Sequence, residues 1–213
     1  MRKSILLLYV LHFTYSITPS INGRIPSDVL ENLRTQNIGI EYGNPRWIKK
    51  IDDWKNSENR NSQLELYLPI LLGTYSDVSN TNFSASDYQN SLFDNNPTGT
   101  MKDYYNEISY GNFLVDGITN GWYQSSLTRS QAVGDTRSYV AEIAAMADSD
   151  IDYSQFDNDG PDNVPNSGDD DGYVDGIAVV YPGCMDGNNN IWPHQSSLYN
   201  NEYVTDDLSV NGG

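Results

Sequence analysis

The chain has 213 residues, 38% of them hydrophobic and 12% aromatic, which is enough for one domain with a sizeable core plus a short leader. Twelve Lys and Arg against 29 Asp and Glu set the formal charge at −17, which excludes nucleic acid and an anionic membrane as natural partners. A single cysteine, Cys184, excludes an intramolecular disulfide, and the many tyrosines argue for a folded rather than a disordered acidic chain.

The chain opens with Arg2 and Lys3, then an apolar run from Ile5 to Leu11, with the small residues Thr14 and Ser16 behind it. That order reads as a secretory signal peptide, residues 1–16, cleaved near Ser16; the alternative is a buried N-terminal helix. No other stretch is long and apolar enough to span a bilayer, so a soluble, secreted, extracellular protein is expected. Residues 17–63 read as a pro-segment or lead-in with two short helices. Ser27 can cap the first, which carries Val29, Leu30 and Leu33 on one face. Asn44 and Pro45 suit the start of the second, where Trp47, Ile48, Ile51 and Trp54 recur at helical spacing and require something to pack on. Residues Asn56 to Ser62 are linker-like.

The domain proper is expected over 64–213. Leu64 to Tyr75 reads as a buried strand, bent by Pro69 or placed at an edge by it. Asp94 to Gly99 is turn material. Thr100 to Ser109 has Met101, Tyr104, Tyr105 and Ile108 on one helical face, Gly111 closes that helix, and Phe113 to Val115 begin a second strand. Asp135 starts a longer helix that buries Tyr139, Val140, Ile143, Ala144 and either Met146 or Ala147. Tyr173 to Tyr181 reads as a further strand, ended by Pro182 and Gly183. Strands and helices intermix with long loops, which suggests α+β, or an α/β sheet flanked by helices.

From Ser138 to Gly213 there are 15 Asp and Glu and no Lys or Arg, so this half repels itself unless cations neutralise it. The charge is densest in Asp157 to Gly176. Two Asp-x-Asp-Gly units lie there, Asp157/Asp159/Gly160 and Asp169/Asp171/Gly172, followed by Asp175. Calcium takes six to eight oxygen ligands, and carboxylates alternating along a turn can deliver several to one ion. Glycine after the second Asp lets the chain curl back around it. The loop lacks the twelve-residue spacing and closing Glu of an EF-hand. Asp157, Asp159, Asp169, Asp171 and Asp175 are therefore the expected ligands of structural calcium, with one or two ions both open. An exposed acidic loop closed by its own Asx turns is the competing reading.

Hydrolase chemistry of the familiar kinds is not encoded in these residues. A His-Glu-x-x-His zinc site needs two histidines one helical turn apart, and only His12 and His194 occur. No Gly-x-Ser-x-Gly elbow is present. Cys184 and His194 stand ten residues apart without a third orienting group, so a thiol nucleophile has little support.

Several segments, in order, resemble the secreted metallopeptidases of the immune inhibitor A type. Leu68 to Asp77 (LPILLGTYSD) is similar to their opening strand, and Met101 to Gly111 with Gly121-Trp122-Tyr123 to the helix and strands after it. Phe156 to Gly176 resembles their acidic loop, and Ile191 to His194 their Trp-Pro-His segment. The resemblance implies a zincin-like α+β peptidase domain with a mixed sheet, flanking helices, catalytic zinc, structural calcium, and protein or peptide substrates. In that family the zinc helix follows the Trp-Pro-His segment. The 213 residues are thus expected to be the N-terminal part of a longer secreted zinc metalloendopeptidase, inactive alone, with zinc held downstream. Only the acidic loop can carry the family's calcium expectation. The alternative is a non-catalytic, calcium-stabilised adhesion or surface module.

Overall fold

A computed structural model describes residues 63–78, 82–158, 160, 162–183, 191, 196, 198 and 201–210. The expected signal peptide, the helices of the lead-in and the linker lie outside the described residues, as do Asp159, Cys184 and His194. All described residues except Ser196 belong to one compact unit.

The element order is β1 (Leu64–Thr74), α1 (Ala85–Leu92), α2 (Met101–Ile108), β2 (Phe113–Gln124), α3 (Arg129–Gly134), α4 (Thr136–Ala147), a 3₁₀ turn at Tyr153–Phe156, and β3 (Ala178–Val180). Among the described residues the sheet has three strands in the order β2-β1-β3, both pairings parallel. Helices with this small parallel sheet agree with the expected α+β class, and no antiparallel strand occurs among the described residues. The reason is the connection from β1 to β2, a crossover carrying two helices, which returns the chain in the same direction.

β1 is central, and this explains why its sequence runs apolar without alternation. Leu71 points into a core with Tyr75, Tyr139, Ile143, Ala147 and Phe156, whereas Ile70 and Leu72 point into another with Phe93 and Val115. The first core lies under α4 and the 3₁₀ turn, the second under α1 and α2. Pro69 does not mark an edge strand: it is buried in the middle of the sheet, one residue before the β3 pairing begins at Ile70. A proline is tolerated there because the β3 ladder has not yet started.

α2 differs from its expected face. Met101 and Tyr105 pack on the second core, with Tyr105 edge-on to Phe113, but Tyr104 and Ile108 are exposed. Eight residues on a flat strand present only one i,i+4 pair to it. α4 follows its expected pattern more closely, burying Tyr139, Ile143, Ala144 and Ala147 and leaving Met146 exposed, with Asp135 as N-cap. The third strand is shorter than its apolar run. Tyr173 to Ile177 lie outside it because the Asp175 amide is bonded to Phe156 O at 2.8 Å, away from any ladder.

One contact ties α4 to the end of β2. The Glu142 carboxylate accepts from Ser125 Oγ and from the Ser126 amide at 2.8 Å, and Ser125 is buried. Burial pushes the Glu142 carboxyl up, but the bonds from Ser125 and Ser126 outweigh it and hold the group below its ordinary range. Glu142→Ala is expected to cost about 1–3 kcal/mol in urea denaturation, because Ser125 keeps its burial and loses its acceptor. Folding lowers this carboxyl's pKa, so its contribution is complete above the unfolded value of about 4.3. It is lost as pH falls through the lower folded value. The stability gap between wild type and Glu142→Gln should therefore close in acid; a gap that widened there would remove this assignment.

Candidate metal centre

The acidic loop hangs between the 3₁₀ turn and β3. Its start is anchored by Phe156, whose ring stacks on Tyr67 of β1 at 5.0 Å and 9°. Its end is tied back by the Asp175 amide on Phe156 O, and its middle by the Asn166 amide on Asp157 O, both at 2.8 Å. Asp157 is buried, and its Oδ2 accepts from the Gly172 amide at 2.9 Å, across the whole loop. Gly172 has φ +84°, which lets the chain reverse toward that carboxylate. Asp170 is also buried and accepts from the amides of Gly160 (2.8 Å) and Ser167 (2.7 Å).

The expected ligands thus divide. Asp157 and Asp175 are buried, and their Oδ1 atoms, with that of Asn158, lie away from solvent. Asp171 is half-buried and accepts from the Tyr173 amide at 3.1 Å. Asp169 is exposed. The Ser167 hydroxyl holds its carboxyl below the usual range, and its Oδ2 accepts from the Asp162 amide at 3.2 Å. Asp159 lies outside the described residues. Asn158 and Asp170 are two buried polar residues of the loop that the sequence pattern does not single out. Asp170 is the spacer of the second Asp-x-Asp-Gly unit, and burial puts it at the loop's centre.

Among the described residues, three carboxylates converge at one place, and it is not within the loop. Oxygen atoms of Asp148, Asp206 and Asp207 lie within 4.8 Å of one another. Asp148 caps the C-terminal end of α4, where the helix dipole disfavours negative charge. Its Oδ2 accepts from Tyr203 Oη at 2.9 Å and the Asp206 amide at 3.3 Å. Asp207 Oδ2 accepts from the Tyr153 amide at 2.6 Å. Burial pushes the Asp207 carboxyl up, the Tyr153 amide partly offsets this, and the charges of Asp152, Asp148 and Asp206 raise it further. Three carboxylates this close together could hold a metal ion between them. No motif could reveal the group, since Asp148 and Asp206 are 58 residues apart in sequence.

The sheet and loop stand within a stretch that matches a known family. Residues 51–211 fit the family model of the immune inhibitor A peptidase M6 catalytic domain. The chain belongs to the immune inhibitor A peptidase family. A search of curated proteins found none that matches. Family membership makes metallopeptidase chemistry, on protein or peptide substrates, the activity associated with this domain, and M6 peptidases are zinc-dependent. The donor set of these 213 residues does not fit that zinc. It has two histidines, His12 and His194, one cysteine, and no His-Glu-x-x-His sequence. The convergent group at the end of α4 is all carboxylate, which suits a hard cation better than zinc. Among the described residues, no helix is long and apolar enough to cross a membrane.

Proposed function

We propose that this stretch is the scaffold half of a secreted zinc metalloendopeptidase, stabilised by calcium, whose zinc-binding helix is supplied by sequence outside these 213 residues. The observation that carries the reading is the match to the M6 catalytic domain over 51–211 combined with a donor set that lacks the paired histidines. The parallel sheet provides the rigid platform, and the acidic half of the chain provides carboxylates for calcium. Asp157, Asp159, Asp169, Asp171 and Asp175 are the proposed calcium residues of the loop. Export is supported by the order of charge, apolar run and small residues over 1–16.

The test compares the 213-residue chain with the same chain extended to the end of its reading frame. With added zinc, the short form is expected to leave casein intact. The extended form is expected to cleave it and to lose activity in a chelator. Cleavage by the short form that disappears in His194→Ala would overturn the proposal. A reading frame without a His-Glu-x-x-His helix would instead favour the non-catalytic calcium-stabilised module.

A further inference from the structure

The three parallel strands share one carboxyl end, at Thr74, Gln124 and Val180. From β1 to β2 the chain runs through α1 and α2, which cover the second core. It then passes back across β1 to β3 through α3 and α4, which cover the first. Connections that leave in opposite directions open a crevice at the carboxyl ends of the strands between them, here β1 and β3. Parallel sheets bind their ligands at such a point.

Arg129 spans that point. Its Cζ lies 5.9 Å from the centre of the Tyr75 ring, just past β1, and its Nη2 donates to Pro182 O at 3.2 Å, just past β3. The rings of Tyr75 and Tyr181 stand 6.4 Å apart at the same two strand ends. Two further bonds hold the segment in place: the Ser76 amide donates to Leu127 O at 2.9 Å, and the Arg129 amide to Asp77 Oδ1 at 2.8 Å.

Among the described residues no carboxylate pairs with this guanidinium. Asp77 accepts from the Arg129 backbone, not from its side chain, and Arg129 Nε is enclosed without an acceptor. An arginine drawn partly out of water ordinarily has an anionic partner. Carboxylates are not scarce in a chain of 29 acidic and 12 basic residues, yet none is placed here.

The surroundings select the ligand class. The end of a guanidinium offers parallel N–H groups that match a carboxylate. A phosphate dianion would call for a second cation, but among the described residues Lys102 is engaged by Asp116 and Arg137 has a partner of its own. The net charge of −17 disfavours polyanions further.

We propose that Arg129, at the crevice between β1 and β3, binds a single carboxylate of a peptide, carried by an acidic side chain or by the C-terminus. That a peptide bears the carboxylate rests on the peptidase reading; that Arg129 takes a carboxylate does not.

An NMR titration of the full isotope-labelled chain tests this through the Arg129 Nε–Hε resonance, assigned through its own backbone. Acetate is expected to move that resonance saturably, with a dissociation constant of about 1 mM. Acetamide, and sodium chloride at the same ionic strength, should leave it in place. Acetyl-Gly-Glu-Gly-amide and acetyl-triglycine then separate a side-chain from a terminal carboxylate. Arg129→Gln should weaken the responding peptide about tenfold or more. Should that variant not fold, the wild-type titration decides alone. An arginine that merely straps α3 to β3 would lower the melting temperature when replaced but show no carboxylate-dependent shift, and that result would overturn the proposal. Equal movement by chloride would also overturn it, reducing the effect to screening. Acetate binding without a response to either peptide would overturn the peptide as bearer. The titration needs no cleavage, so its failure and that of the peptidase reading are separable.

Discussion

Gly117→Ala is expected to remove most of the domain's folding stability, because an added methyl group there meets the closest backbone obstacle of the described glycines. Gly117 sits in β2 in register with Leu68 of β1. A Cβ there would stand 2.0 Å from Leu68 O, 3.1 Å from its carbonyl carbon and 3.0 Å from the Phe93 ring. The obstacle is the backbone of the central strand, not the tip of a flexible side chain, so relief requires β1 and β2 to separate. Nor can β2 retreat freely on its other side. Gln89 of α1 clamps it there, donating to Gly117 O at 3.2 Å and accepting from the Thr119 amide at 2.8 Å. Ordinary overpacking costs about 1–3 kcal/mol. Opening a ladder and its clamp exceeds that and consumes a large part of a stability of about 5–15 kcal/mol. Gly134 is the control. It closes α3, and a methyl group added there would meet nothing within 4 Å, so alanine should be neutral or stabilising by up to about 1 kcal/mol. Soluble yield and thermal melts read both. A Gly117→Ala protein melting within about 2 °C of wild type, a shift of about 0.5–1 kcal/mol, would refute the close approach of the two strands.

Why some of this is legible in the sequence and some is not follows from burial. β1 announces itself as an unbroken apolar run, α4 by apolar side chains buried at helical spacing, and α2 by Met101 and Tyr105 one turn apart on the second core, while Asp135 and Gly111 mark ends that the structure uses. α1 buries no residue completely and α3 only Ala132, so neither has a hydrophobic rhythm to detect. Their legible signal is at the N-terminus: Ser84 with Asp87 and Thr128 with Gln131 each form a capping box. The third strand reads too long because Tyr173 to Ile177 have strand composition, whereas the loop's own hydrogen bonds claim that backbone. The acidic loop is visible as charge, but its interior order is not. Alternation favours Asp169 and Asp171, while the fold buries Asp170 between them. Asp148, Asp206 and Asp207 are brought together only by tertiary structure, after α4 ends and the chain returns past Tyr153.

Removing calcium is expected to lower the melting temperature by about 5–10 °C. A ligand present at a hundred times its dissociation constant stabilises by about 2.7 kcal/mol, and each kcal/mol moves a domain of this size by about 2–4 °C. The physical cause is the carboxylate density of the second half of the chain, where like charges are held together by backbone amides and no lysine or arginine follows Arg137. Two locations compete for the ion, and substitutions separate them. If the loop holds it, Asp175→Asn should abolish the difference between calcium and EDTA, and Asp207→Asn should preserve it. If Asp148, Asp206 and Asp207 hold it, the two variants should exchange behaviour. In EDTA alone, Asp207→Asn is expected to stabilise, because asparagine still accepts from the Tyr153 amide and no longer faces Asp148, Asp152 and Asp206. Folding raises the Asp207 carboxyl, so its protonated form favours the native state: that benefit is full below the unfolded value of about 3.9 and is lost as pH rises through the folded value. A bound cation reverses this dependence by making the charged form the favoured one. Identical melting curves with calcium and with EDTA, for the wild type and both variants, would sink the calcium proposal at both places and leave the acidic half as a surface solvated by ordinary counterions.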